Sequence, residues 1–242
     1  MFPDVVLLAG GLGKRLHSVT GGAQKVLVKI NDKPFLEILM DYIASQGAKR
    51  FILCVGHDGD EVEAYFKNKY QDREIIFSRD ESPLGTGGAI KQGSHHVKTD
   101  HFLAMNGDCF CVIDYNRLIA FHQNKKSKAT LAVTLMPDAR DYGTIEIAKN
   151  DTIEAFKEKQ PVMQEAFINT GTYCFDRNVF SLAETPVKFS IEYDFFPHLV
   201  GQGFYAFQVE NRFIDIGTPE RYSWAQEHLR KLRHPERSEG SQ

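Results

Sequence analysis

Residues 5–13 read Val5-Val6-Leu7-Leu8-Ala9-Gly10-Gly11-Leu12-Gly13, an apolar run that breaks into glycines. Five apolar residues with no polar alternation predict a strand buried on both faces, and the glycines predict a loop at its C-terminal end. The segments that follow keep the same rhythm. Pro34 opens a helix through about Gln46, with Phe35, Leu36, Leu39, Met40 and Ile43 on one face and Gly47 as its stop. Phe51 to Val55 is the next strand, Asp60 to Tyr70 a helix, and Glu74 to Ser78 a third strand. A helix from about Gly88 to Val97 leads to the apolar run Phe102 to Met105, and Asp114 caps a helix reaching about Lys125. Strand and helix alternating over residues 1–126 predict an α/β fold, a mostly parallel sheet with helices on both faces. Ligands then belong at the C-terminal ends of the strands.

Beyond residue 126 the character changes. Ala129 to Leu135, Thr144 to Ala148, Ile153 to Phe156, Phe167 to Phe175 and Tyr205 to Val209 are strand-like, with short helices between them, as in an α+β addition. A last helix is expected over Pro219 to Leu232, and the polar residues 233–242 are expected to form a disordered tail. Residues 1–232 therefore read as a single domain.

Composition narrows the function. Of 242 residues 42% are hydrophobic and 25% charged, which fits a globular chain, and the formal charge of -3 lacks the basic footprint of a nucleic-acid binder. No run approaches the roughly 20 apolar residues needed to span a bilayer. Met1-Phe2-Pro3-Asp4 also lacks the basic start of a signal peptide, so no membrane partner and a cytoplasmic location are expected. Cys54, Cys109, Cys111 and Cys174 form no CxxC pair and read as reduced thiols.

Three segments carry chemistry. The glycine loop is followed by Lys14 and Arg15, and backbone N–H groups bare of side chains wrap a polyphosphate well. It is neither a Walker A loop, which needs Gly at Leu8 and Ser or Thr at Arg15, nor a dinucleotide fingerprint, which needs a third glycine near Leu16. Asn106-Gly107-Asp108 puts a carboxylate directly after an apolar strand. Phe213-Ile214-Asp215-Ile216-Gly217 sets a second acid between apolar neighbours, where burial demands a partner such as a metal or a turn cap.

Together these segments resemble the sugar-1-phosphate nucleotidyltransferases, which make nucleoside-diphosphate sugars. The resemblance runs over nearly the whole chain: Leu8-Ala9-Gly10-Gly11-Leu12-Gly13-Lys14-Arg15-Leu16, Gln24-Lys25-Val26, Pro83-Leu84-Gly85-Thr86-Gly87-Gly88-Ala89, Asn106-Gly107-Asp108, Tyr142-Gly143-Thr144, Glu158-Lys159, Asn169-Thr170-Gly171 and Asp215-Ile216-Gly217-Thr218-Pro219 occur in the family's order. Lys14 replaces the usual Thr, Gln24 and Val26 replace prolines, and Gln160 replaces a proline.

The resemblance implies a Rossmann-like three-layer α/β/α nucleotidyltransferase fold with an α+β sugar-binding part. It assigns residues 1–126 mainly to the nucleotide and 127–232 mainly to the sugar phosphate. It implies nucleotide contacts from Leu8, Ala9, Gly10, Gly11, Gly13, Lys14, Arg15, Lys25, Pro83, Leu84, Gly85, Thr86, Gly88, Asn106, Gly107 and Asp108. Sugar-phosphate contacts fall to Gly143, Glu158, Lys159, Asn169 and Thr170, and Mg2+ to Asp108 and Asp215. Arg15, Lys25 and Asp108 become the catalytic residues. Asn31-Asp32-Lys33-Pro34-Phe35-Leu36 and Phe213-Ile214-Asp215-Ile216-Gly217 most resemble members that join GTP to D-glycero-α-D-manno-heptose 1-phosphate. Uridylyl, thymidylyl or cytidylyl transfer to another sugar stays open, as do a non-catalytic sugar-nucleotide sensor and a homo-oligomer.

Overall fold

A computed structural model describes residues 1–11, 24–56, 59–67, 69–70, 72–157, 165–210 and 212–233. Gly13, Lys14, Arg15, Glu158, Lys159 and the tail from 234 onward lie outside the described residues.

In chain order the first half holds β1 (Asp4–Leu8), β2 (Lys29–Ile30), β3 (Lys33–Pro34), α1 (Phe35–Ser45), β4 (Arg50–Val55), α2 (Asp60–Phe66), β5 (Glu74–Arg79), α3 (Gly85–Ser94), β6 (His101–Asn106), β7 (Cys109–Cys111) and α4 (Tyr115–Asn124). The second half adds β8 (Ala129–Met136), β9 (Thr144–Ile147), β10 (Ile153–Lys157), β11 (Ala166–Asp176), α5 (Phe196–Leu199), β12 (Phe204–Val209), β13 (Phe213–Asp215) and α6 (Pro219–Arg233).

The main sheet runs β5-β4-β1-β6 in parallel. β11 then pairs antiparallel with both β6 and β8, so β8 and the parallel β12 point the same way as the first four strands. β9 and β10 extend the sheet beside the first residues of β11. The α/β expectation with a mostly parallel sheet holds, and the second half is an extension of that sheet.

Burial on both faces explains the apolar runs. Val5, Leu7, Phe51, Leu53, Leu103 and Met105 face one core, which α1, α2, α4 and α6 cover through residues such as Met40, Phe66, Leu118 and Leu229. Val6, Ile52, Phe102 and Ala104 face the other core, with Ile90 of α3, Phe195 just before α5 and Phe196 at its start. Alternate side chains thus bury on opposite sides, giving three layers. Phe175, Phe189, Phe195 and Phe196 are all essentially buried, and each such side chain contributes about 1.5–3 kcal/mol of burial.

Two helices differ from expectation. α3 spans Gly85–Ser94 rather than about Gly88 to Val97, and α2 stops at Phe66, four residues short of Tyr70. Gly85 has φ 73°, and a Cβ there would lie 2.5 Å from the Phe189 carbonyl oxygen, so glycine is required where this helix begins. α4 begins as expected, with the Asp114 carboxylate accepting the Arg117 N–H at 3.1 Å.

Candidate active site

β1 is flanked by β4 on one side and β6 on the other, which makes its C-terminal end the switch point of the sheet. A cavity of about 390 Å³ opens there. Its lining includes the ends of those strands and the residues just beyond them: Leu8, Gly10 and Gly11 at β1, Cys54 and Gly56 at β4, and Asn106, Gly107 and Asp108 at β6. A Cβ on Gly10 would meet the Gly56 nitrogen at 2.6 Å, so the two loops approach backbone to backbone. Pro83, Leu84, Gly85 and Thr86, leading into α3, close another wall.

A second cavity, of about 660 Å³, lies beside the first and shares Lys25, Thr86, Asn106 and Asp108 with it. Tyr142, Gly143, Asn169, Gly171, Glu192 and Asp215 are among its lining residues. Asn169 is held by its neighbours: its Oδ1 accepts the Gly171 N–H at 2.7 Å and its Nδ2 donates to the Tyr173 hydroxyl at 2.9 Å. Gly171, at φ 71°, passes so near Asn106 that a Cβ would lie 2.7 Å from Asn106 Nδ2.

At the junction the Lys25 ammonium forms an ion pair with Asp108. Antiparallel pairing of β13 with β7 sets Asp215 opposite Cys109, and the Ile216 N–H donates to the Asp108 carbonyl at 3.1 Å. A Cβ on Gly217 would lie 2.7 Å from Asp215 Oδ1 and 3.7 Å from Lys25 Nζ, so Lys25, Asp108 and Asp215 converge. Asp215 is already well supplied with donors. It accepts from the Gly217 N–H at 2.9 Å, the Tyr142 hydroxyl at 2.8 Å and the Arg221 guanidinium at 3.0 Å. Arg221 also reaches Asp141 at 2.8 Å and lies 4.7 Å from the Tyr142 ring centre.

Cys109 and Cys111, a conspicuous pair in the sequence, are the ends of β7. Burial first, then the charges of Asp108 and Asp215, push the Cys109 thiol pKa up, so it stays protonated and donates to Asp108 at 3.3 Å. Cys111 is buried, which pushes its thiol up to about 12. Cys111 is a packing group, whereas Cys109 is half-buried and lines the second cavity as a protonated thiol. Asp108 and Asp215 instead offer hard oxygen donors to one cavity, which fits a divalent cation held by one or two carboxylates with the rest of its shell from phosphate and water. Among the described residues no group of three or more His, Cys, Asp or Glu converges as a complete metal cage.

Of the residues expected in the nucleotide site, Leu8, Gly10, Gly11, Lys25, Pro83, Leu84, Gly85, Thr86, Asn106, Gly107 and Asp108 line the first cavity. Ala9 and Gly88 do not. Ala9 is fully buried, and Gly88 is a packing glycine whose Cβ would lie 2.6 Å from the Val187 carbonyl. Gly143 and Asn169 line the second cavity, whereas Thr170 is buried and donates to the Ala132 carbonyl at 2.8 Å, a link across the sheet. Alternation along β11 turns it away from the side that Asn169 faces.

Glu192, Arg221 and Asp80 reach the cavities without having been expected there. Glu192 accepts from the hydroxyls of Thr86 at 2.9 Å, Ser190 at 2.9 Å and Tyr173 at 3.3 Å, which ties the α3 loop to β11. It lies in a π-helical turn, Ile191–Phe195, a local geometry frequent at functional sites and without a composition signature.

The nucleotidyl transferase family model matches residues 4–231. The chain is 36% identical over 227 residues to D-glycero-alpha-D-manno-heptose 1-phosphate guanylyltransferase of Aneurinibacillus thermoaerophilus, covering 93% of this chain and 98% of that protein. The enzyme of the same name from Campylobacter jejuni subsp. jejuni serotype O:2 is also 36% identical, over 90% of this chain and 96% of that one. The crystal structure of HddC from Yersinia pseudotuberculosis complexed with GMP-PN superposes with a TM-score of 0.82 at 35% identity, covering 94% of this chain and all of that one.

Proposed function

Because the chain belongs to the nucleotidyl transferase family, we propose that it transfers a guanylyl group from GTP to D-glycero-α-D-manno-heptose 1-phosphate and releases pyrophosphate. One observation carries the reading: two cavities share a wall made of Lys25, Thr86, Asn106 and Asp108. Two phosphorylated substrates seated on either side of that wall would meet at it. The names and near-complete coverage of the relatives support the choice of GTP and the heptose phosphate.

A phosphate oxygen of the sugar 1-phosphate attacks the α-phosphorus of GTP in line. The bond from that phosphorus to the bridging oxygen of the β-phosphate breaks, and pyrophosphate leaves opposite. The attacking phosphate is ionised near neutral pH, so the protein's work is alignment and charge neutralisation. Lys25 offsets charge growing on the α-phosphate. The Gly10 and Gly11 backbone, with Gly13, Lys14 and Arg15, cradles the β- and γ-phosphates. Gly143, Glu158 and Asn169 orient the sugar, and Lys159 takes its phosphate. Asp108 and Asp215 would hold Mg2+, which when bound withdraws charge from the phosphates. Residues 1–126 serve chiefly the nucleotide and 127–232 chiefly the sugar phosphate, and we place the reaction in the cytoplasm.

The test is pyrophosphate release with Mg2+, with ATP, GTP, CTP, UTP and dTTP each offered against heptose, mannose and glucose 1-phosphates. GTP with the heptose phosphate is expected to give the highest kcat/KM. A different best pair would change the substrates and keep the transfer. Silence from folded protein across the panel would overturn the reading.

A further inference from the structure

The Asp215 side chain is 11% exposed, and the chain itself fills the acceptor positions of its carboxylate. Oδ1 accepts from the Gly217 N–H at 2.9 Å and from Arg221 Nη1 at 3.0 Å. Oδ2 accepts from the Tyr142 hydroxyl at 2.8 Å and from the same Arg221 nitrogen at 3.0 Å. An ionised carboxylate has about four lone-pair positions, so a cation reaching Asp215 must displace a donor. The three donor groups differ in what they lose. The Gly217 N–H belongs to the backbone two residues away, and the Tyr142 ring packs edge-on against Phe213, with centroids 6.0 Å apart. Arg221, in the first turn of α6, has somewhere else to go: its Nη2 donates to Asp141 at 2.8 Å, and its guanidinium lies 4.7 Å from the Tyr142 ring centre. Withdrawn from Asp215, it keeps both contacts. Of the three groups it alone is positively charged, and an incoming cation repels it.

We propose that Arg221 is a positioning residue that stands in for the divalent cation at Asp215 and competes with it, so that metal joins the site with the nucleotide rather than before it. The inference rests on reading Asp108 and Asp215 as the Mg2+ pair. Before any ligand enters, Arg221 gives a nearly buried carboxylate its counter-charge, and a carboxylate so buried is costly without one. Lys25 stands in the same relation to Asp108, to which it is paired. Two carboxylates already paired with cations of the chain are a poor site for a lone metal ion, which would have to give up water and break both pairs. Phosphates change that balance, because they add oxygen ligands and give Lys25 a new anion. Asp141 does the same for Arg221 from within the chain.

The experiment titrates nucleotide-free protein with Mn2+ as the probe and reads unbound Mn2+ by electron paramagnetic resonance, with circular dichroism and melting as checks on the fold. Arg221→Gln removes the competitor and is expected to bind Mn2+ roughly 10- to 100-fold more tightly than wild type, the reach of one charge-assisted hydrogen-bond pair. Asp141→Asn, at a side chain 76% exposed, takes away the charge that draws Arg221 off Asp215, and is expected to bind Mn2+ more weakly. Lys157 lines the same cavity but pairs with Glu146, so Lys157→Gln is expected to leave the affinity unchanged. Asp215→Asn is expected to lose most of the binding. Folded Arg221→Gln that binds no tighter than wild type overturns the inference, and so does Asp141→Asn that binds as tightly as wild type or tighter. Equal tightening in Lys157→Gln overturns it too, since any lost positive charge would then serve. If Asp215→Asn binds Mn2+ like wild type, the metal role of Asp215 falls and the inference with it. Absence of pyrophosphate release from every NTP would instead bring down the transferase reading, and the Mn2+ comparison does not depend on turnover.

Discussion

Lys25 and Asp108 stand where the two cavities join, and their ion pair exposes the lysine by 16% and the carboxylate by 31%. A pair this accessible can exchange partners when phosphates and a cation arrive, which a sealed pair could not do without leaving a buried charge behind. Asp108→Asn keeps the shape and removes the charge. We expect kcat to fall by at least about 100-fold with the circular dichroism spectrum unchanged, because the lost interaction is with charge on the reacting phosphates. Turnover within a few-fold of wild type would remove Asp108 from the chemistry. Asp215 is constrained differently, held between the Arg221 guanidinium, which it shares with Asp141, and the Tyr142 hydroxyl before any ligand enters. The sequence marked both acids through their apolar neighbours. It carried no mark of Arg221 or of Glu192, each of which also bonds a residue far along the chain, Asp141 and Thr86 respectively.

At the level of elements, α4 docks on the sheet through His122, which is buried and shares a 2.9 Å hydrogen bond between its Nδ1 and the Thr130 hydroxyl of β8. Burial, and secondly the His101 ring, push the His122 pKa down from 6.5 to about 4. The unfolded chain takes up this proton below about pH 6.5, whereas the folded chain holds the ring neutral until about pH 4. The stability from this site is therefore complete above pH 6.5 and is lost as pH falls from there toward 4, by up to roughly 3 kcal/mol. Melting temperature is expected to drop between pH 7 and pH 5 in wild type, and to drop less in His122→Gln. Equal slopes would assign the acid sensitivity to other groups. The elements themselves were largely legible, because apolar period and caps are local properties. β7 was not: three residues, Cys109-Phe110-Cys111, have no period to read, and they form a strand through pairing with β13 about a hundred residues later.

Across the whole molecule one sheet passes from the nucleotide half into the sugar half, since β11 joins β6 to β8. The halves share two cores as well, with Cys174 in the same cluster as Val5 and Leu7, and Phe175 in the same cluster as Val6. Such continuity predicts a single cooperative melting transition. GTP with Mg2+ at about 100 times its Kd should raise the whole transition, by about 2.7 kcal/mol or roughly 5–10 °C. Calorimetry that resolves two transitions, one of them insensitive to GTP, would show the halves to be energetically separate.

By itself, the sequence determined that this chain forms an α/β sheet buried on both faces, with glycine loops and acids at the strand ends. Those features follow from side-chain hydrophobicity and backbone freedom, which act over a few residues. Ordered motifs along the chain were enough to identify the chemistry of the family. Tertiary structure alone decided that β11 would reverse direction inside the sheet, that β13 would bring Asp215 beside Asp108, that Thr170 would face the core, and that one carboxylate oxygen of Asp80 would be buried at a cavity wall without a hydrogen-bond partner among the described residues. Each of these depends on which distant segment comes to lie alongside, and on whether a buried polar atom then finds a partner, which local pattern does not encode.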